Sequence, residues 1–364
     1  MTRQVTTDTT RAWVDIDLGA LRHNGAVLAA RAGAPLLPMV KADAYGLGAV
    51  RVARALEALE PWGFGVGTVA EGMELRDAGI ERPIVVFTPL LPEDLAGASQ
   101  ARLTPTLGAA ASIACWARLG GPWHLAIDTG MNRAGVRWDE VDALRDALAA
   151  CPPEGAFTHF HSADRNDGTI AEQEQRFDEA IARLPVRPTY LHVENAPALE
   201  RRRGSRWSFA RPGVFLYGVG SGEGAEVRPR PVAHLRARVV ELRDVRDGET
   251  VSYARSWRAI GDRRIATRAI GYADGYCRAL SNRGCVLVNG CRAPVAGLVT
   301  MDMTMVDVTG VPCAVGDVAT LIGGDESARL DVETVARTAD MSPYELLTLL
   351  RGRLARVYHD AGAA

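Results

Sequence analysis

A lysine at the end of an apolar run is the residue that most directly suggests chemistry. The segment "LLPMVKA" places Lys41 directly after Val40, and "DAYGLG" follows. Apolar surroundings disfavour an ammonium ion, so they lower the pKa of a lysine and make its amine available as a nucleophile or a Schiff-base former. A lysine that caps a strand and extends into water is the alternative at this point.

The elements around this lysine predict a (β/α)8 TIM barrel. Eight short apolar runs alternate with segments of helical periodicity between residues 35 and 217; they are "LLPMVKA", "GFGVGTV", "PIVVFTP", "RLTPTL", "WHLAIDT", "GAFTHF", "TYLHVEN" and "SFARPGV". Near-continuous apolar strands are typical of parallel sheets that are covered on both faces. The alternative, an open doubly wound sheet, is disfavoured because no GxGxxG turn opens the first helix.

The carboxyl ends of barrel strands carry the reactive groups in this fold. Those ends hold Lys41 and Tyr45 after the first strand, Arg133 after the fifth, His159 at the sixth, Asn195 at the seventh, and Arg211, Gly213 and Val214 at the eighth. A glycine followed by a backbone N–H donor suits a phosphate group. A Schiff-base lysine and a phosphate cradle in one barrel mouth suggest pyridoxal 5′-phosphate (PLP).

The sequence pattern changes after "YGVGSGEGAEVRPRP": the segments that follow are strand-like and closely spaced, which indicates a small, mostly-β domain. We predict an N-terminal extension at residues 1–12, a PLP-binding barrel at 13–228 and a C-terminal β domain at 229–364. The alternating segment "RAWVDIDL" precedes the barrel and could pair with the β domain.

Composition excludes several classes of function. The chain has 364 residues and a net charge of −2, which does not favour nucleic acid as a partner. No apolar run reaches bilayer length and no signal-like segment opens the chain, so we expect a cytoplasmic protein without a membrane segment. Six cysteines without a CxxC pair suggest reduced thiols, although a disulfide among Cys277, Cys285 and Cys291 stays open. "HFH" lacks a third ligand, so we predict no metal site.

Seven segments together resemble the alanine racemase family of fold-type III PLP enzymes. They span the chain from Trp13 to Tyr358 in the order of the family, and they are "VKADAYGLGA", "DTGMNRAGV", "FTHFHSAD", "RPGVFLYG", "VSYARSW", "IGYADGY" and "TMDMTMVDV". The resemblance implies racemisation of a small amino acid, most simply L-alanine to D-alanine for cell-wall precursors. It also implies a homodimer whose active sites are shared between subunits.

The resemblance implies a role for each matched residue. Lys41 would carry PLP and act as one acid/base group, and Tyr253 from the partner subunit would be the other. The cofactor would be held by Tyr45, Asn195, Ala196, Gly213 and Val214 around its phosphate, by Arg211 at the ring nitrogen, and by His159 in contact with Arg211. The substrate would meet Arg133 and the backbone of Met301, and the entrance would be formed by Tyr272, Asp164 and Arg278.

The chain departs from the pattern of the family at several of these places. Ala126 stands where a lysine, often carbamylated, would orient Arg133; the other departures are Asn132, Ala196, Ala254, Leu298 and Gly352. Ala196 and Gly352 each remove a hydroxyl that would contact the phosphate. The alternatives are a racemase of another amino acid such as serine, a fold-type III PLP lyase or decarboxylase, and a non-enzymatic PLP-binding protein. Arg211 favours a racemase over a decarboxylase, in which we expect an acidic residue at that position.

Overall fold

The structure is a computed structural model that describes residues 10–325 and 327–360. The predicted N-terminal extension therefore lies mostly outside the described residues. The helices are α1 (Leu18–Ala32), α2 (Ala49–Leu56), α3 (Val69–Asp77), α4 (Pro92–Gln100), α5 (Ala110–Leu119), α6 (Arg145–Ala150), α7 (Thr169–Arg183), α8 (Ala196–Arg201), α9 (Val332–Thr338) and α10 (Pro343–Thr348). Most of them follow a strand of the barrel and cover its outer face.

The barrel is built on short parallel strands. In chain order the first part of the molecule contributes β1 (Ala12–Asp17), β2 (Phe64–Val66), β3 (Ile84–Val86), β4 (Thr104–Leu107), β5 (His124–Asp128), β6 (Val136–Arg137), β7 (Gly155–Phe157) and β8 (Tyr190–His192). The parallel sheet runs in the order β2-β3-β4-β5-β7-β8, and β6 pairs only with β5. Nearly every residue in this sheet is buried, because helices cover one face and the barrel interior fills the other.

The predicted first and eighth strands exist only as isolated bridges. Leu36 pairs with Ala210, Met39 pairs with Gly65 and Asn195 pairs with Arg211, and these three bridges close the ring between β8 and β2. Pro35, Pro38 and Pro212 interrupt these segments, and a proline has no N–H to donate to a strand ladder. The expectation of continuous strands is therefore wrong at these two places, while the barrel fold itself is confirmed.

The C-terminal part is mostly β, as predicted. Its strands are β9 (Ala233–Val245), β10 (Thr250–Val251), β11 (Trp257–Arg258), β12 (Arg263–Arg268), β13 (Cys285–Val288), β14 (Cys291–Pro294), β15 (Thr304–Asp307), β16 (Val318–Gly324), β17 (Arg329–Leu330) and β18 (Ala355–His359). The main sheet runs in the order β14-β13-β16-β9-β1-β18. Strand β1 thus lies in this sheet, antiparallel to β9 and parallel to β18, although it precedes the barrel in sequence.

The end of the chain packs against the segment that carries Lys41. The Tyr358 hydroxyl donates to the carbonyl of Leu47 at 3.0 Å, and Arg356 forms an ion pair with Asp43 at 2.6 Å. A Cβ at Gly46 would lie 2.5 Å from the carbonyl oxygen of Leu347 in α10, so only glycine permits this close approach. The C-terminal elements therefore fix the first loop of the barrel.

The cysteines are all unpaired. None of the described helices is both long enough and apolar enough to cross a membrane. Within residues 10–325 and 327–360, no group of three His, Cys, Asp or Glu side chains is placed to hold a metal ion.

Candidate active site

A cavity of about 1150 Å³ opens at the carboxyl ends of the barrel strands. It brings together most of the residues that the sequence predicted, namely Lys41, Tyr45, Arg133, His159, Asn195, Ala196, Arg211, Gly213 and Val214. The parallel strands all end on the same side, so side chains that are far apart in the sequence meet there. Tyr344, Glu345 and Thr348 of α10 also line the cavity, and no sequence motif pointed to them.

Lys41 is followed by a left-handed turn rather than by an ordinary loop. Residues Ala42, Asp43, Ala44 and Tyr45 have φ values between 53° and 55°. Each non-glycine residue in this region costs roughly 1–2 kcal/mol, so the turn must be held by its surroundings. Because the turn rotates the backbone directly after Lys41, it places both Lys41 and Tyr45 on the cavity wall.

Glu71 is a main contact that holds this turn. Its Oε1 accepts from the backbone N–H of Ala42 at 2.8 Å, while its Oε2 accepts from that of Gly67 at 2.6 Å. It also completes a capping box with Thr68 at the start of α3. One carboxylate therefore joins the start of a barrel helix to the segment that carries Lys41.

The Lys41 amine reaches solvent through the open cavity, and yet protein atoms surround much of the side chain. Burial is the largest influence on its pKa and lowers it; the positive charge of Arg133 lowers it further, and Glu71 opposes the shift. Lys41 is also the sole lysine of the chain, since the other basic residues that carry a fixed charge are arginines. The covalent attachment of an aldehyde to a side-chain amine therefore has one candidate residue.

Arg211 is buried at the floor of the cavity, with most of its donors used by the protein. Its Nη1 donates to Nδ1 of His192 at 2.8 Å and to the His192 carbonyl at 2.7 Å. Its Nη2 donates to the carbonyls of Thr158 at 2.7 Å and Val193 at 3.1 Å. Among the described residues no acceptor meets its fifth donor, the Nε–H. Burial lowers the pKa of Arg211 to about 9, with Glu194 opposing, so the guanidinium is protonated at neutral pH.

The histidine that is hydrogen-bonded to Arg211 is His192, which the sequence analysis did not single out. It is the last residue of β8 and lies beside the guanidinium. The expected contact of His159 with Arg211 stays a prediction. His159 lies beyond the end of β7 and lines the cavity. Burial and the positive charge of Arg211 lower the pKa of His159 to about 3, so it is neutral. A polar residue inside the apolar run "TYLHVEN" was the available signal for His192.

Tyr45 and Gly213 form a narrow cradle in the wall of the cavity. A Cβ at Gly213 would lie 2.7 Å from the Tyr45 hydroxyl oxygen, so the absence of a side chain leaves room in front of that hydroxyl. Burial raises the pKa of Tyr45, which keeps its O–H as a donor. Val214 and Ala196 each begin a short helical turn, where backbone N–H groups have no partner within the turn.

These groups fit PLP. The cradle offers donors to a phosphate, Lys41 offers an amine to an aldehyde, and Arg211 offers one free N–H to a ring nitrogen. Two departures lie where the sequence predicted them: Ala196 and Ala126 both line the cavity. Within the described part of the chain, the Arg133 side chain has no hydrogen-bond acceptor and no ion-pair partner.

Tyr253, Tyr272 and Met301 do not line this cavity. They lie on the surface of the C-terminal part with exposed fractions of 72%, 42% and 52%. Hydrogen bonds join their loops: the N–H of Tyr272 donates to the Thr300 carbonyl at 2.9 Å, and the Ser252 hydroxyl donates to the Leu298 carbonyl at 3.1 Å. These three apolar side chains therefore belong to one exposed region of the molecule.

Comparison with known proteins agrees with this geometry. Residues 16–221 match the model of the alanine racemase N-terminal domain, and residues 232–358 match that of the C-terminal domain. An alanine racemase of Citrifermentans bemidjiense is 39% identical, covering 95% of this chain and 98% of its own. The structure of an alanine racemase from Bacillus anthracis with bound L-Ala-P has a TM-score of 0.91 and 29% identity, with 98% and 97% covered. One from Bartonella henselae with covalently bound pyridoxal phosphate has a TM-score of 0.88 and 28% identity, with 96% and 100% covered. The chain belongs to the alanine racemase family.

Proposed function

We propose that this protein interconverts L- and D-alanine with PLP, and that Lys41 and Tyr253 move the proton on opposite faces of the substrate. The observation that carries the proposal is the meeting, in one cavity, of the sole lysine, the cradle of Tyr45 and Gly213, and the Arg211 Nε–H, which has no acceptor among the described residues. Racemisation needs a base on one face of a carbon and an acid on the other, because one group alone tends to return the proton to its original side.

The chain's own residues divide the task of holding the cofactor. Lys41 would bind it covalently, Tyr45 and the N–H groups of Val214 and Ala196 would bind its phosphate, and Arg211 would donate to its ring nitrogen. When bound, PLP withdraws electrons from the α-carbon of an amino acid and makes its α-hydrogen acidic. Arg211 can only donate, so it leaves the ring nitrogen without a proton and keeps that withdrawal moderate. This arrangement favours racemisation over decarboxylation.

The second proton-transfer group comes from a partner subunit in our proposal. Tyr253 is 72% exposed and lies outside the cavity of its own chain. A large aromatic side chain at such a position is typical of an interface, and a two-fold dimer would place it over the partner's Lys41. Met301 and Tyr272, which share its surface, would line the same mouth. Arg133, which has no acceptor of its own among the described residues, would bind the substrate carboxylate.

Mixing of inactive subunits tests this shared site. Lys41→Ala lacks one group and Tyr253→Phe lacks the other, so each homodimer should be inactive. A mixed dimer contains one complete site, formed by Lys41 of one subunit and Tyr253 of its partner. Random reassociation should therefore restore about a quarter of the wild-type activity. If the mixture stays inactive while mixed dimers are shown by mass spectrometry, both groups act within one chain and the proposal is wrong.

Two direct assays test the covalent attachment of PLP to Lys41 and the identity of the substrate. Borohydride reduction of the loaded enzyme should fix the cofactor on Lys41, and no other side-chain amine competes. Incubation with L-alanine in deuterated water should give D-alanine with α-deuterium; L-serine in parallel tests the alternative substrate. Absence of α-hydrogen exchange in every small amino acid would contradict a racemase.

We place the enzyme in the cytoplasm, since six unpaired cysteines suit a reducing compartment, and assign its product to cell-wall precursors.

A further inference from the structure

A buried chain of hydrogen bonds runs from Arg211 away from the cavity. Nη1 of Arg211 lies 2.8 Å from Nδ1 of His192, and Nε2 of His192 lies 2.9 Å from Nδ1 of His124. Arg211 is 4% exposed, and both imidazoles are fully buried. Burial and the nearby positive charge of Arg211 lower the pKa of both histidines, that of His124 to about 3, so both rings are neutral.

The direction of every hydrogen bond in this chain is fixed by chemistry. A guanidinium only donates, so Nδ1 of His192 must accept and its proton must be on Nε2. That N–H then donates to Nδ1 of His124, which must accept in turn. His124 therefore carries its own proton on Nε2. Among the described residues, this last N–H has no acceptor and is buried.

His124 is held in place by close packing. A Cβ at Gly155 would lie 2.7 Å from both Cδ2 and Nε2 of His124, so the glycine leaves only enough space for the ring. Trp62 packs with its ring centre 5.7 Å from that of His124. The site is otherwise suited to an apolar side chain, and a buried N–H without an acceptor is unfavourable. A histidine here costs stability, which an apolar residue of the same size would not.

We propose that His124 is a positioning residue for the cofactor site: by accepting the Nε2–H of His192, it holds the imidazole of His192 in the orientation in which Nδ1 accepts from Arg211, and so keeps the Arg211 Nε–H turned toward the cavity. His124 touches neither substrate nor cofactor, and it acts through two other residues. The link to the cofactor rests on the proposed function, whereas the tautomers belong to the protein alone.

The consequence of losing His124 follows from the same donors and acceptors. Without an acceptor, the Nε2–H of His192 would be buried among aromatic rings, including Phe209 at 4.5 Å between ring centres. A buried N–H without an acceptor is unfavourable, so the ring of His192 turns to reach another acceptor. Its Nδ1 then moves away from Nη1 of Arg211, and a guanidinium that has lost this acceptor no longer holds its Nε–H in the cavity.

A pair of variants separates this role from simple packing. His124→Asn and His124→Leu both replace the ring by a side chain that branches at Cγ, but only the asparagine oxygen can stand near the former Nδ1 and accept from His192. We expect the wild-type apoprotein to show His124 and His192 with the proton on Nε2 in side-chain ¹⁵N spectra. In His124→Leu, the Nε2–H of His192 should lose the low-field proton shift of a hydrogen bond, and the dissociation constant for PLP should rise on the order of tenfold. His124→Asn should keep that low-field shift, with PLP binding near the wild-type value.

Several results would overturn the proposal. One is a wild-type His192 that is protonated on Nδ1 in the apoprotein, a measurement that needs no variant. Another is a low-field shift of the His192 Nε2–H that is unchanged in the leucine variant, or equal losses of PLP binding in the leucine and asparagine variants. If the leucine variant does not fold, Gly155→Ala displaces the His124 ring instead and should weaken both the same hydrogen bond and PLP binding. A protein with the expected tautomers but no racemase activity would contradict the proposed function and leave this inference standing.

Discussion

Replacing Gly213 by alanine tests the phosphate cradle. The added Cβ would lie 2.7 Å from the Tyr45 hydroxyl oxygen, so that oxygen has to move by at least about 0.3 Å to reach the shortest contact that real Cβ atoms show. Tyr45 is only 7% exposed and its ring packs 4.7 Å from that of Tyr217, so it has little room to do so. The methyl group also occupies the space in front of the hydroxyl, where a phosphate oxygen would accept from it.

The expected loss is one hydrogen bond to a charged acceptor. Such a bond contributes about 1.5–3 kcal/mol, which corresponds to a rise of roughly 10- to 150-fold in the dissociation constant for PLP. Titration of the apoprotein with PLP, followed by absorbance, measures this ratio. Lys41 is present in every variant, so its covalent contribution cancels in the comparison.

Tyr45→Phe is the matched control, because it removes the same hydroxyl without adding a methyl group. In the double variant the Cβ meets no hydroxyl, and the nearest ring carbon stands at an ordinary 3.5 Å. We therefore expect the double variant to lose no more than either single variant, which is a strongly non-additive result. Binding of PLP to Gly213→Ala within twofold of wild type, or losses that add in the double variant, would refute the cradle.

Two further predictions concern the segment around Lys41. Burial lowers the pKa of Lys41, so in the apoprotein its acylation should be half-maximal at a lower pH than for a lysine in a short peptide. Arg133→Met should raise this midpoint pH because a repelling cation is lost. Glu71→Gln should lower the midpoint because an attracting anion is lost. Shifts of opposite sign would show that other charges control the amine. Thr68→Ala removes the cap of α3 and should lower the free energy of unfolding in urea by about 1 kcal/mol. The control Thr338→Ala, at an exposed helix end, should change that free energy by less than about 0.5 kcal/mol. Equal losses in the two variants would contradict the role of the cap.

The sequence predicted the barrel and the members of its cavity because both depend on local pattern. Apolar runs alternating with amphipathic segments define strand and helix, and the carboxyl end of each run marks where a side chain meets the mouth. Lys41 and Arg211 could be placed in this way. The same reasoning predicted continuous strands around Pro38 and Pro212, where the structure has only isolated bridges. The apolar residues are those of a strand, but the missing proline N–H groups interrupt the hydrogen-bond ladder.

Two features of the site had no local signal strong enough to predict them. The left-handed turn after Lys41 contains no glycine before Gly46, and in "ADAY" only Asp43 is of a residue type that is enriched at positive φ. Contacts from Glu71 and from the end of the chain hold the turn. The hydrogen bond between His192 and Arg211 depends on the direction in which the His192 side chain points. That direction is set by strand register and by the helices packed outside, and not by spacing along the chain.

The amino-acid sequence is enough to identify the side chain that can hold an aldehyde, because the chain contains one lysine, and to name residues that can gather at the mouth of a barrel. The folded core is needed to show that the Arg211 Nε–H has no acceptor among the described residues, that His124 stands behind Arg211, and that Tyr253 lies outside the cavity of its own chain. Residue type is a property of the chain and fixes what chemistry is available. The direction of a donor and the distance between two elements arise only when the whole core has packed.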